Sequence, residues 1–301
     1  MRGINVARRD STFQETFMIR KYYQLTKPGI IYGNLLTATG GFLMASRGDI
    51  DLWLMAAVLA GTSLVIASAC VINNYIDRNI DAKMARTKQR ALAIGSISSR
   101  AAFAFAATLG LLGFLVLALA TNPVTLLVGV VGYVDYLVFY TIWKRRSTLG
   151  TAVGSIAGAT PVVAGYTAVT GAFDGGALIL FLILALWQMP HFYSIAIYRR
   201  ADYLAAGLPV LPVKSGVRVT KMQMVGFIAA FIAAATLLAV FGYAGYTYLA
   251  VMLVLGLNWL RLGMRGFKVQ DNTAWARGMF KFSLVVILGF SLAIGLDAWL
   301  P

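Results

Sequence analysis

Residues 53–72 read WLMAAVLAGTSLVIASACVI, and residues 73–90, which follow at once, read NNYIDRNIDAKMARTKQR. The first stretch has no Asp, Glu, Lys or Arg and has the length of roughly 20 residues that a helix needs to cross a hydrocarbon core. The second is crowded with charges of both signs. An apolar helix that emerges into a charged face predicts a polytopic membrane protein, and the rest of the chain repeats the pattern. Comparable apolar runs lie at about 29–46, 101–120, 124–142, 149–170, 177–197, 223–241, 247–264 and 279–299. With 59% hydrophobic and 12% charged residues and a mean hydropathy of +0.77, the 301-residue chain falls outside soluble and disordered compositions alike. The expected fold is therefore all-α and integral to the membrane: nine transmembrane helices forming one domain over 29–301, preceded by a cytoplasmic tail over 1–28.

The basic residues sort to one side of that arrangement. Of the 26 Lys and Arg, 25 fall in the tail, the 73–100 and 198–222 connections, the 143–148 turn and the 261–281 stretch, while Arg47 alone falls on the other side. Lys and Arg are retained in the cytoplasm, so nine spans predict a cytoplasmic N-terminus and a periplasmic C-terminus. A net charge of +15 in a soluble chain would point to nucleic acid. In this chain it reads as topology, with membrane lipid and no nucleic acid as partner. The opening segment carries Asp10 and Glu15 and looks like neither a signal peptide nor a transit peptide, which favours a bacterial inner membrane. The single cysteine, Cys70, excludes an internal disulfide and reads as a small packing residue.

Carboxylates near a span are the informative residues, because an unpaired charge there is costly. If the second helix continues past its apolar stretch, Asn73, Asp77 and Asp81 fall at i, i+4 and i+8 on one face, rising about 12 Å. A cluster of cations, Lys83, Arg86, Lys88 and Arg90, comes directly after them. A solvated helix end held by weak ion pairs is the ordinary explanation of such a segment. Hard oxygen donors followed by bases also suit a diphosphate: Mg²⁺ takes one or two carboxylates plus phosphate oxygens, and Lys and Arg take the remaining oxygens.

The pattern Asn73-x3-Asp77-Arg78-x2-Asp81-x2-Met84-x-Arg86-Thr87-x2-Arg90 resembles the first aspartate-rich motif of the UbiA superfamily of intramembrane prenyltransferases. The resemblance covers nearly the whole chain, with Lys27-Pro28 opening the first span, Tyr140-x3-Lys144-Arg145 closing the fourth and Asp202 following the sixth. It implies a nine-helix fold and a polyprenyl diphosphate bound through Mg²⁺ and ionised to a carbocation. The metal ligands would be Asn73, Asp77, Asp81 and Asp202; Lys144 would act with the three aspartates in catalysis, and Arg86, Lys88, Arg90, Arg145 and Arg199 would bind diphosphate. The superfamily's second D-x3-D motif is incomplete, since Tyr198 stands where its first carboxylate would be. One Mg²⁺, or a second held mainly by phosphate oxygens and water, fits that departure.

Within the superfamily, Trp187-Gln188-Met189-Pro190-His191-Phe192, with Asp202-Tyr203 and Gly207-Leu208-Pro209-Val210-Leu211-Pro212, resembles one branch in particular. Its implied reaction joins the farnesyl group of farnesyl diphosphate to a vinyl group of heme b, with water supplying a hydroxyl. His191, the only His, is the implied heme-binding residue; a lone His on an apolar helix is otherwise most often a packing residue. If the helix persists past Pro190, His191 and Asp202 share a face. Heme-handling or terminal-oxidase assembly proteins are the further partners this implies. Asp135 lies inside the fourth span, outside the motif, and stays off the catalytic set. Gly154-x3-Gly158 reads as helix packing, not as a phosphate loop. The alternatives are a family member prenylating an aromatic quinone precursor and, from a different class, a secondary transporter. Against transport, the charges gather at one face instead of the midplane.

Overall fold

A computed structural model describes residues 18–300, so Arg2, Arg8, Arg9, Asp10 and Glu15 of the expected tail lie outside the described residues. The described residues form helices joined by turns, with no strands among them. Helix α1 spans Pro28–Ser46, α2 Leu52–Ile76, α3 Ser99–Ala120, α4 Pro123–Arg146, α5 Gly150–Thr170, α6 Gly175–Tyr198, α7 Gly216–Val240, α8 Tyr246–Arg265 and α9 Asn272–Leu296. Eight of these, α2 to α9, are long and apolar enough to cross a membrane. The first is long enough at 19 residues, but Asn34, Thr37, Thr39 and four glycines dilute it.

The helix starts follow from local chemistry. Asp51, Ser98, Asn122, Asp174 and Asp271 each accept a backbone N–H in the first turn of α2, α3, α4, α6 and α9, satisfying donors that a helix end otherwise leaves unpaired. Hydropathy misplaced several helix ends because it scores as loop any polar residue that the fold buries. Thus α2 runs to Ile76, not 72: Asn74 is buried and donates to the Leu25 and Cys70 carbonyls at 2.8 and 3.0 Å. Likewise α7 begins at Gly216, not 223, because the Lys221 ammonium is tied to the Gly266 carbonyl and to Asn272, each at 2.5 Å.

Helix α6 lies at the centre, packed on α5, α7 and α9, with α1 against α5 and α9, and α2 against α3. Phe42, Leu180, Ile183, Phe231, Trp259 and Phe290 are fully buried in this core. A smaller cluster of Leu25, Val71, Leu92, Ile97, Ala102 and Ala106 pins the 82–98 connection under the charged end of α2. Apolar side chains such as Leu111 and Leu119 of α3, 71% and 78% exposed, face outward as a lipid-facing surface would.

Close helix approach depends on glycine. A Cβ on Gly165 of α5 would collide with the Ala38 carbonyl of α1, and one on Gly41 would collide with the Val162 carbonyl. On α5, Gly150 lies against the Lys144 backbone and Gly154 against the Tyr140 ring, so the end of α4 rests on these two glycines, while Gly158 lies against the Gln188 side chain of α6. Gly165→Ala should destabilise the protein by about 1–3 kcal/mol through overpacking. Gly226→Ala, where nothing lies within 4 Å of an added Cβ, should leave stability unchanged or raised. Unfolding of both variants in detergent micelles checks the contrast.

Candidate active site

The acidic residues identify the site by elimination. Asp51, Asp174 and Asp271 are helix caps, Asp297 accepts the Gly245 N–H through both oxygens at 3.0 and 2.9 Å, and Asp49 is exposed in the turn after α1. Among the described residues this leaves Asp77, Asp81, Asp135 and Asp202.

Asp77 caps the C-terminus of α2 with φ −92° and ψ 0°, and a short turn, Arg78–Asp81, follows it. The helix is therefore interrupted at Asp77 and does not continue unbroken, the condition under which the three residues share one face. The i to i+4 ladder nevertheless survives: the Asp77 N–H donates to the Asn73 carbonyl at 2.9 Å and the Asp81 N–H to the Asp77 carbonyl at 2.8 Å. Asn73, Asp77 and Asp81 thus remain in succession along the charged end of α2.

Cations from three segments converge on them. Lys144 Nζ lies 2.5 Å from Asp77 Oδ2, and Arg145 lies 3.0 Å from Oδ1 while also donating to the Ile76 carbonyl at 2.9 Å. Burial pushes the Asp77 carboxyl up, but Lys144 and Arg145 outweigh it and hold the group below the usual carboxylate range. Asp81, 3% exposed, pairs with Arg90 at 2.8 Å, and its carbonyl accepts from Thr87 at 3.0 Å. Lys27 reaches across from the start of α1 to donate to Asn73 Oδ1 at 2.7 Å. Its backbone is left-handed at φ 53°, a conformation that costs a non-glycine residue on the order of 1–2 kcal/mol, and burial lowers its ammonium to about 8.

Asn73 Oδ1 also accepts from the Tyr136 hydroxyl at 3.3 Å. Both neighbours are donors, which fixes the orientation of the amide and leaves Nδ2 buried without a partner. Tyr136 stacks on Tyr140 at 5.5 Å, within a π-helical stretch, Asp135–Tyr140, that interrupts α4. Such single π turns frequently mark functional sites. Lys144 lies 4.8 Å above the Tyr140 ring, so this stretch and the glycines beneath it set where the ammonium points. Asp135 faces away from the cluster, accepting the Ala157 N–H of α5 at 3.1 Å.

The remaining residues singled out from the sequence are less tightly gathered. Arg86, Lys88 and Arg199 are exposed, with Arg199 5.5 Å from the Tyr198 ring. Asp202 is half-buried in a separate turn, Arg200–Ala205, and makes no ion pair among the described residues. Tyr203 beside it lies within coulombic reach of Arg86, and Tyr140 within reach of Tyr203, Asp77 and Arg86, so the 82–98 and 199–210 connections border the same cluster. No group of three or more His, Cys, Asp or Glu converges among the described residues.

His191 sits apart. Helix α6 persists through Pro190 but ends at Tyr198, so His191 and Asp202 do not share a helix face. The ring is buried at the α6–α9 contact, stacked on Trp187 at 4.7 Å and 5.0 Å from Phe280, with Nδ1 2.7 Å from Ser283 Oγ.

A family of prenyltransferases, UbiA, matches residues 34–285. The chain belongs to the UbiA prenyltransferase family. It is 51% identical over 284 residues to protoheme IX farnesyltransferase 2 of Chromobacterium violaceum, covering 94% of each chain. Its fold is shared by a solved digeranylgeranylglyceryl phosphate synthase, with a TM-score of 0.77 at 20% identity over 93% of this chain and 98% of that one. A UbiA homologue from Archaeoglobus fulgidus, solved with GPP and Mg²⁺, aligns with a TM-score of 0.65 at 18% identity over 91% and 99% of the two chains. With its apolar helices, this UbiA member is a multi-pass membrane enzyme that transfers prenyl groups.

Sequence reasoning left Lys27 and Thr87 without a role and passed over Tyr136 and Ser283. Tyr136 carried a signal, standing four residues before Tyr140 and eight before Lys144, but Ser283 carried none. Arg90→Ala should leave the Asp81 carboxylate buried and unpaired and cost about 3 kcal/mol of stability. Adding Asp81→Asn should recover most of that loss, because the uncompensated charge is gone. A double-mutant cycle by thermal unfolding in detergent measures both steps.

Proposed function

We propose that this UbiA prenyltransferase transfers the farnesyl group of farnesyl diphosphate to a vinyl group of heme b, adding water and releasing diphosphate, so that the product is heme O. The observation that carries this reading is the 51% identity to a protoheme IX farnesyltransferase over 94% of the chain. The Trp187–Phe192 segment with its only histidine supports it. We assign the chain nine spans, counting α1, in a bacterial inner membrane, with the N-terminus and the charged cluster cytoplasmic. The distribution of Lys and Arg supports that orientation.

The donor chemistry suits Mg²⁺. Asn73, Asp77, Asp81 and Asp202 offer hard oxygens, and the buried, unpartnered Asn73 amide beside them is a donor that matches a phosphate oxygen. When bound, Mg²⁺ would neutralise charge on the leaving diphosphate. The chain's own cations do the same work. Lys144, Arg145 and Arg90, each paired with an aspartate, together with Arg86, Lys88 and Arg199, are assigned to the phosphate oxygens. Asp77 and Asp81 each have a cation for a neighbour, so a cation-bound diphosphate exchanges one set of opposite-charge contacts for another without leaving either buried charge bare.

Departure of diphosphate with the C1–O bonding pair leaves the farnesyl cation, which the apolar bundle shields from bulk water. A vinyl carbon of heme b attacks it, forming the carbon–carbon bond, and the resulting cation beside the porphyrin takes up water and loses a proton. No strong general base is needed for the carbon–carbon step. His191 is assigned to contact with the heme. The same substrates make heme-handling and terminal-oxidase assembly proteins the expected partners.

Purified protein given Mg²⁺, farnesyl diphosphate and heme b is expected to form farnesylated heme and to leave 4-hydroxybenzoate unmodified when both acceptors compete. Prenylation of the benzoate with heme untouched would overturn the assignment. Asp77→Ala is expected to abolish turnover and Mg²⁺-dependent diphosphate binding while the protein still inserts. Ordinary activity in that variant would remove Asp77 from the site.

A further inference from the structure

The surroundings of His191 specify which ring nitrogen carries the proton. Ser283 of α9 places its hydroxyl oxygen 2.6 Å from the Phe280 carbonyl and 2.7 Å from His191 Nδ1. A carbonyl oxygen accepts only and a serine hydroxyl has a single proton, so that proton goes to Phe280 and the Ser283 oxygen must accept from Nδ1. The neutral imidazole is then the Nδ1–H form, with its lone pair on Nε2.

The rest of the pocket holds the ring in that pose. Trp187 stacks on one face at 4.7 Å and 25°, and its indole N–H donates to the Ser283 carbonyl at 2.9 Å, so the stacking residue and the hydrogen-bonding residue are tied to each other. Phe280 closes against the ring at 5.0 Å, and Phe192 meets it edge-on at 5.2 Å. His191 forms no ion pair among the described residues. Among the described residues Nε2 has no hydrogen-bond partner, yet it is not one of the fully buried unpartnered atoms found there, which are Thr62 Oγ1, Asn73 Nδ2, Trp259 Nε1 and Ser291 Oγ. The residue keeps 8% of its surface exposed, so the ring is not wholly sealed in the α6–α9 contact.

A packing histidine has no need of a fixed tautomer, whereas a histidine that binds a metal through one nitrogen generally donates the other N–H to an oxygen acceptor. We propose that Ser283 is a positioning residue that locks His191 as the Nδ1–H tautomer and so presents the Nε2 lone pair to the iron of the bound heme substrate. The inference rests on the reading of His191 as the heme contact, and it adds the nitrogen, the ligand atom and the residue that selects it.

Because His191 is the only histidine, the full-length protein labelled with ring-¹⁵N histidine in micelles yields one pair of imidazole resonances. In the wild type, Nδ1 is expected to show the protonated signature and Nε2 the lone-pair signature. Ser283→Ala should move the ring toward the Nε2–H form that free histidine prefers, and Ser283→Thr should keep the wild-type pattern. A wild-type Nε2–H ring, or a pattern unchanged in Ser283→Ala, overturns the inference.

Heme titration followed by visible absorption provides the second arm. His191→Ala should lose the axial-nitrogen signature. Ser283→Ala should weaken heme binding by about 10–100-fold with an altered spectrum, and Ser283→Thr should restore both. If His191→Ala leaves the spectrum unchanged, the heme reading of His191 fails whatever the tautomer. If His191→Ala alters it and Ser283→Ala matches the wild type, the role of Ser283 fails alone.

Discussion

An ionised carboxylate at the edge of an apolar bundle has to be met by countercharge, and in this protein the meeting is made at Asp77. Its two oxygens take Lys144 and Arg145, which come from the other end of a helix 67 and 68 residues further along the chain. That bond joins the end of α2 to the end of α4. Everything around it is arranged so that both ends arrive together: the glycines of α5 admit Tyr140 and the Lys144 backbone, and the cluster around Leu25 and Val71 anchors the connection that carries Arg90.

The same constraint explains the alternation of acids and bases at the site. Removing a charge from water costs several kcal/mol unless it is paired and hydrogen-bonded. A buried cluster of charges therefore needs balanced groups. Aspartates beside lysines and arginines meet that need, and Asn73, with two donors on its oxygen and a free amide, adds a neutral donor inside the same cluster. His191 sits elsewhere, among aromatic rings at the α6–α9 contact.

Hydropathy and the one-sided charge placed every long helix, and the spacing of Asn73, Asp77 and Asp81 picked out the charged end of α2. Errors fell where polar residues are buried: Asn74 and Lys221 counted as loop in a hydropathy window but are bonded inside helices. The helix that would have to continue through Asp81 is interrupted at Asp77, and the face that spacing assigned to His191 and Asp202 together ends with α6 at Tyr198. Each miss involves a contact with a residue distant in sequence, or a chain break that a periodicity cannot register.

The amino-acid sequence by itself determined the membrane class, the succession of apolar helices and the family motif, because these depend on composition and on local spacing. Only the tertiary structure decided which cation meets which carboxylate, that a π-helical stretch aims Lys144, that Lys27 reaches Asn73, and which histidine nitrogen Ser283 leaves free. Those outcomes are set by close approach between helices far apart in the chain, where a single hydrogen bond or the absence of a Cβ determines the partner.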